Sequence, residues 1–246
     1  MKIYKVLSNT CKNPKLVGYY LKRIVKKFKG EKGYQISEFE NSGIIKKEYK
    51  NYEDYVKHQK SKLSNLLDFD NFFDFGRMEK YDREYRETLK QRIKENEELK
   101  QGMSCLCLGA RLGTEVKSFI DLGIFAVGVD LNPGKNNKYV VVGDFHNLQY
   151  SDNSVDIIFS NSIDHSLYLD DFLLEAQRVL KPDGYFLIEI GAETDDPERL
   201  KHNYEAIAYK DIDLIVDKIK EINFSILRKV DISFPWKGVQ ILFKVK

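Results

Sequence analysis

Hydrophobic and polar positions are arranged in two ways along this chain, and the change falls near residue 100. From Met103 onward, short apolar runs alternate with amphipathic stretches, the pattern of βαβ units built on a parallel sheet. The runs predict strands at 103–108, 124–129, 139–142, 155–159, 185–190, 224–230 and 239–245. The stretches between them predict helices over 114–122, 169–180 and 212–222. Gly123 stops the first helix, and Lys181-Pro182-Asp183-Gly184 closes the second. Before residue 103 the chain is polar, aromatic and mainly helical in pattern. Asn13-Pro14 opens a helix over 14–29, with Asn as cap and Pro in the first turn. Its apolar positions Leu16, Val17, Tyr20, Leu21, Ile24, Val25 and Phe28 recur at helical spacing, lysines and Arg23 fill the other side, and Gly30 ends it. Loop or short strand follows over 31–50, then a helix over 52–67, an aromatic-acidic loop over 68–76, and a charged helix over 81–100.

Composition adds limits. The 246 residues suit one large domain, or one domain with an extension. The boundary expected from the pattern divides a mainly helical extension, 1–100, from a nucleotide-binding type of domain, 101–246. A hydrophobic share of 42% supports a real core and argues against wholesale disorder. The net charge of +2 says little, but lysines concentrate in residues 1–60, so the helix at 14–29 offers a surface to an anionic membrane or nucleic acid, or simply packs as a lid. Cys11, Cys105 and Cys107 show no zinc spacing and no disulfide framework. Cys105 and Cys107 would share one face of a strand as small apolar residues, and a reducing cytoplasm fits. No apolar run reaches membrane-spanning length, and no signal-peptide core follows the N-terminus.

The candidate chemistry lies in the turns after the strands. Cys107-Leu108-Gly109-Ala110-Arg111-Leu112-Gly113 joins a buried strand to a helix, so backbone can approach a ligand and the helix start can face an anion. Asp130, followed by Leu131, ends the second strand, where a carboxylate can accept both hydroxyls of a ribose. These features suit NAD and S-adenosylmethionine alike. Further on, Asp144 can accept from an adenine amino group, with Phe145 against the purine and His146 nearby. Asp156 opens the fourth strand of the repeat, and Arg178-Val179-Leu180-Lys181-Pro182-Asp183-Gly184 turns a helix into the next strand.

This order of motifs resembles the class I S-adenosylmethionine-dependent methyltransferases over 103–190. The resemblance implies an α/β fold with a Rossmann-like methyltransferase sheet, mostly parallel with an antiparallel C-terminal strand pair. It places Gly109, Ala110, Arg111, Gly113, Asp130, Leu131, Asp144, Phe145, His146 and Asn161 at the cofactor, S-adenosyl-L-methionine. The chain departs from the family where Cys107 stands for the loop acid and Arg111 for a glycine. The missing acid leaves open what holds the cofactor amino group; Glu115 or the Gly109 carbonyl are the substitutes in sight, and Arg111 is a partner for the carboxylate. His58-Gln59-Lys60-Ser61-Lys62-Leu63, with the Cys-Leu-Gly-Ala-Arg-Leu-Gly loop, resembles a subgroup associated with bacterial surface polysaccharides.

That narrower resemblance implies O-methylation of a sugar or polysaccharide precursor. A hydroxyl nucleophile needs a proton acceptor, and His165, with Asp164 to orient or replace it, stands after the fourth strand of the repeat, where the reaction centre is expected. The alternative is that both merely cap the next helix. Asp164 with Asp170 or Asp171 could bind a divalent metal, but single acids without a spacing signature are weak evidence, and no metal site is assigned. An RNA or protein methyltransferase using the basic N-terminal region, and a non-catalytic scaffold of the same fold, are the rival readings.

Overall fold

A computed structural model describes residues 34–37, 43–73, 77–192, 200 and 203–246. The helix expected over 14–29, and Cys11, lie outside the described residues. The centre is a seven-stranded sheet in the order β5-β4-β3-β6-β7-β10-β9, made of β3 (Ser104–Leu108), β4 (Phe125–Asp130), β5 (Val140–Val142), β6 (Val155–Ser160), β7 (Leu180–Gly191), β9 (Phe224–Ile232) and β10 (Gly238–Val245). Strands β5, β4, β3, β6 and β7 pair in parallel, whereas β10 runs antiparallel to both β7 and β9. The expected Rossmann-like sheet with an antiparallel C-terminal pair is therefore present.

The apolar runs become inner strands because both faces of the sheet are covered. On β3, Leu106 and Leu108 face one layer, and Cys105 and Cys107 the other. The first layer holds α4 (Leu169–Val179), which buries Phe172, Leu173, Ala176 and Val179, and α5 (Ile212–Glu221), which buries Ile215, Val216 and Ile219. The second holds α2 (Arg77–Lys94), through Tyr85, Leu89 and Ile93, and α3 (Thr114–Ile120), through Val116 and Phe119. Asp211 caps α5 by accepting the Asp213 N–H at 2.9 Å. Asp211→Ala is expected to cost about 1 kcal/mol of stability. Urea denaturation measures it; no loss would mean that solvent satisfies the helix start.

Several boundaries differ from the pattern. β7, expected over 185–190, begins at Leu180 and takes in the turn expected at Lys181-Pro182-Asp183-Gly184, and α2 begins at Arg77 rather than Tyr81. α1 (Tyr52–Phe73) continues through 68–73, expected as loop, since no Gly or Pro interrupts the chain before Gly76. α2 stops at Lys94 rather than Lys100, because the side chain of buried Asn96 donates to the Arg92 carbonyl at 2.8 Å and takes over the helix end. The region 31–50 contains β1 (Tyr34–Ile36) and β2 (Ile44–Tyr49), which join β8 (Ile207–Tyr209) in a separate antiparallel sheet, β1-β2-β8. β8 had no sequence signal of its own. It brings the segment at 203–206 beside Asp164, whose carbonyl accepts the Ala206 N–H at 2.7 Å.

Candidate functional site

A cavity of about 390 Å³ opens at the carboxyl ends of β3, β4 and β6, and α1 forms part of its wall. This is where an open α/β sheet reverses strand order and takes ligands. Of the residues expected to bind cofactor or catalyse, Gly109, Arg111, Asp130, Leu131, Phe145, Asn161, Asp164 and His165 all line it.

Gly109 leaves β3 with φ +72, and a Cβ there would stand 2.7 Å from that of Ser162, so the turn passes β6 only as glycine. Arg111 follows in the left-handed region at φ 42, a conformation a glycine would adopt freely and an arginine adopts at some cost. Its amide donates to Asp130 Oδ2 at 2.9 Å, and Asn132 N donates to Oδ1 at 2.7 Å. Both oxygens are thereby anchored, and each keeps a lone pair for a ligand hydroxyl. This carboxylate on the cavity wall fits a ribose diol.

Burial bears on the place of the missing loop acid. Cys107 is fully buried, and burial pushes its thiol up, followed by the neighbouring Cys105 at 3.9 Å, so it supplies no charge. Glu115, in the first turn of α3, lines the cavity instead. It accepts from Asn161 Nδ2 at 2.9 Å. Burial raises its carboxyl above the ordinary value, against the pull of that hydrogen bond and of the Arg111 charge. A buried carboxylate of this kind suits a cationic amino group. Beneath it, Asn161 Nδ2 also reaches the Tyr85 hydroxyl at 2.9 Å, and Tyr85 donates to Glu189 at 2.7 Å.

Four expected cofactor residues stand outside the cavity wall. Ala110 is buried against Gly128, and Gly113, at φ +84, lets the chain pass Tyr139. Asp144 accepts the His146 amide at 2.9 Å and is hydrogen-bonded by the Tyr52 hydroxyl of α1. Burial opposes its ionisation, but the hydrogen bonds from His146 and Tyr52 prevail and hold it below the usual carboxylate value. His146 is turned away into contacts with Asp144 and with Ser166 Oγ at 2.9 Å. Sequence proximity to an adenine pocket did not reveal that α1 covers this pair.

On the other side of the cavity, His165 Nδ1 lies 3.0 Å from the Tyr204 carbonyl, an acceptor only, so Nδ1 carries the proton. Nε2 then has a lone pair, and it faces Lys62 Nζ at 2.8 Å. Burial, followed by the Lys62 charge, holds the imidazole well below its ordinary value, so it stays neutral. The Tyr204 carbonyl also accepts from Gln59 at 2.7 Å, and the Tyr204 ring stacks on His58 at 4.9 Å. Burial, then the Lys47 charge, depresses His58 to about 4. The His58–Lys62 motif is therefore the part of α1 that holds the 203–206 segment against His165. Among the described residues, no cluster of His, Cys, Asp and Glu could hold a metal ion.

Residues 106–188 match the methyltransferase domain family. A sterol 4-C-methyltransferase of Caenorhabditis elegans, strm-1, is 26% identical over 171 residues, which cover 61% of this chain and 51% of that protein. The chain thus spans about half the length of that curated relative. The PH0226 protein of Pyrococcus horikoshii superposes with a TM-score of 0.57 at 20% identity, over 73% of this chain and 99% of that one. An S-adenosylmethionine-dependent methyltransferase of Aquifex aeolicus gives 0.53 at 19%, over 71% and 100%. Residues 106–188 thus match a methyltransferase domain family, and the fold is the one seen in solved S-adenosylmethionine-dependent methyltransferases.

Proposed function

We propose that this chain O-methylates a small, polar acceptor of the sugar class. The observation that carries this reading is the set of polar side chains that share the cavity wall with the aromatic Tyr55, Tyr81 and Tyr209 away from the cofactor residues. Gln59, Lys62, Asp164, His165 and Glu205 line it, together with Trp236, whose buried Nε1–H has no hydrogen-bond partner among the described residues. A donor of that kind calls for an acceptor oxygen. A sterol would call for an apolar lining. The cavity volume, near the low end for small-molecule sites, also favours a small acceptor over an RNA or protein chain.

Asp130 would hold the ribose hydroxyls, Glu115 the amino group and Arg111 the carboxylate of S-adenosylmethionine, with Leu131 and Phe145 against the base. Asp144 and His146 would support that base pocket from behind. The cofactor supplies an electrophilic sulfonium methyl. The protein's task is then to hold the acceptor oxygen in line with it, exclude water and receive the hydroxyl proton.

Calorimetric titration with S-adenosylhomocysteine, with NAD as control, is expected to show micromolar binding of the former alone. Transfer of tritium from [methyl-³H]S-adenosylmethionine is then expected for members of a panel of monosaccharides and nucleotide sugars. Transfer to sterols, RNA or protein alone would overturn the acceptor class, and cofactor binding without any transfer would favour a scaffold.

A further inference from the structure

We propose that Lys62 is the group that takes the proton from the acceptor hydroxyl, while His165 positions its amine. This deepens the O-methylation reading and rests on it.

The geometry divides the two roles. His165 cannot present a free lone pair to the acceptor, because Nδ1 is protonated toward the Tyr204 carbonyl and Nε2 is occupied by Lys62. Lys62 lines the same cavity. Among the described residues, its Nζ makes one hydrogen bond, to His165 Nε2. Two of the three positions on this nitrogen are therefore left for a ligand oxygen or for a lone pair. The side chain is reached from several elements: His165 from the short 3₁₀ turn Ile163–His165, Arg111 from the β3–α3 loop, Asp130 from β4, Asp164 and Glu205. Burial lowers the ammonium to about 8, helped by the Arg111 charge and opposed by Asp164, Glu205 and Asp130. The amine form is thus accessible near neutral pH, as a proton acceptor requires.

The step balances as follows. The acceptor O–H bond breaks and its proton passes to the Lys62 amine, which becomes ammonium. The oxygen pair forms the new O–CH₃ bond, the C–S pair stays on sulfur as a neutral thioether, and Lys62 later returns the proton to solvent. His165 Nε2 accepts an N–H from Lys62 throughout, which keeps the nitrogen from swinging toward Asp164.

The test compares wild type, Lys62→Arg and His165→Asn from pH 6 to 10 by tritium transfer to the sugar panel. Arginine keeps the charge and the donor to His165 but never deprotonates. Wild-type kcat is expected to rise with pH and level off above about 8. Lys62→Arg is expected to lose roughly 100-fold or more in kcat, and the rise with it, while S-adenosylhomocysteine binds as before. His165→Asn is expected to keep a rising limb, displaced in pH. A limb retained in Lys62→Arg, or lost only in His165→Asn, would overturn the proposal. Should wild type transfer to no sugar, the acceptor class fails, and Lys62 is judged by NMR of [6-¹³C]lysine-labelled protein with S-adenosylhomocysteine bound. A resonance that is missing in Lys62→Arg and titrates near 8 upholds it; one that titrates near the ordinary lysine value, about 10.4, overturns it.

Discussion

Arg92→Met is expected to cost about 3–5 kcal/mol of stability, because it leaves a carboxylate buried without its counter-charge. Arg92, on α2, donates to Glu189 Oε1 at 2.8 Å, and the Glu189 side chain is 0% exposed. Tyr85 and Gln240 donate to the same carboxylate at 2.7 and 3.0 Å, but both are neutral. A charged donor contributes more than a neutral one here, since little water reaches the pair. Arg92 also ties the helix to the Phe234 carbonyl. Methionine preserves much of the packing volume, so the loss reports mainly the stranded charge. Adding Glu189→Gln to Arg92→Met removes that charge and is expected to recover most of the loss, which a double-mutant cycle in urea measures. A single-variant cost near that of an exposed ion pair, below about 1 kcal/mol, would show that solvent reaches Glu189.

Asp130→Ala is expected to weaken S-adenosylhomocysteine binding by about 1.5–3 kcal/mol, or about 10- to 150-fold in Kd. The carboxylate stands at the carboxyl end of β4 and lines the cavity. It also secures the Arg111 and Asn132 amides, so part of the loss would come from a loosened loop. Asp130→Asn keeps the shape and one acceptor oxygen, and is expected to fall between wild type and alanine. Calorimetry gives the affinities, and thermal melting without ligand separates loop loosening from lost contacts. Unchanged affinity in Asp130→Ala would remove the ribose assignment.

Much of the sheet was legible because inner strands and covering helices have different hydrophobic periods. β3, β4, β6 and β10 are nearly continuous apolar runs, and α4 and α5 are clean amphipathic stripes. Strand-to-helix turns follow from the same reading, so Gly109 and Asp130 could be placed at strand ends before any contact was known. The basic helix expected over 14–29 carries no structural outcome, since it lies outside the described residues.

The site was legible only in part. Glu115 and the Gly109 carbonyl are the substitutes in sight for the absent acid, and only the structure shows that the Glu115 side chain is buried while lining the cavity. Ala110, Gly113, Asp144 and His146 are near the cavity in sequence and outside its wall in space. In the sequence Lys62 reads as one letter of a motif, not as chemistry. Its partner His165 is 103 residues away, and no local pattern reports such a pair.

Periodicity along the chain is enough for the class of fold, the order of strands and helices around the central sheet, and the turns from which a nucleotide-type cofactor could be held. Those depend on periodicity and on residues next to one another in the chain. Tertiary packing sets which polar groups share the cavity, which imidazole nitrogen carries its proton, and which amine lines it. Those depend on burial and on contacts between distant segments, through β2, β8 and α1, where the enclosing wall rather than the local sequence sets charge and reach.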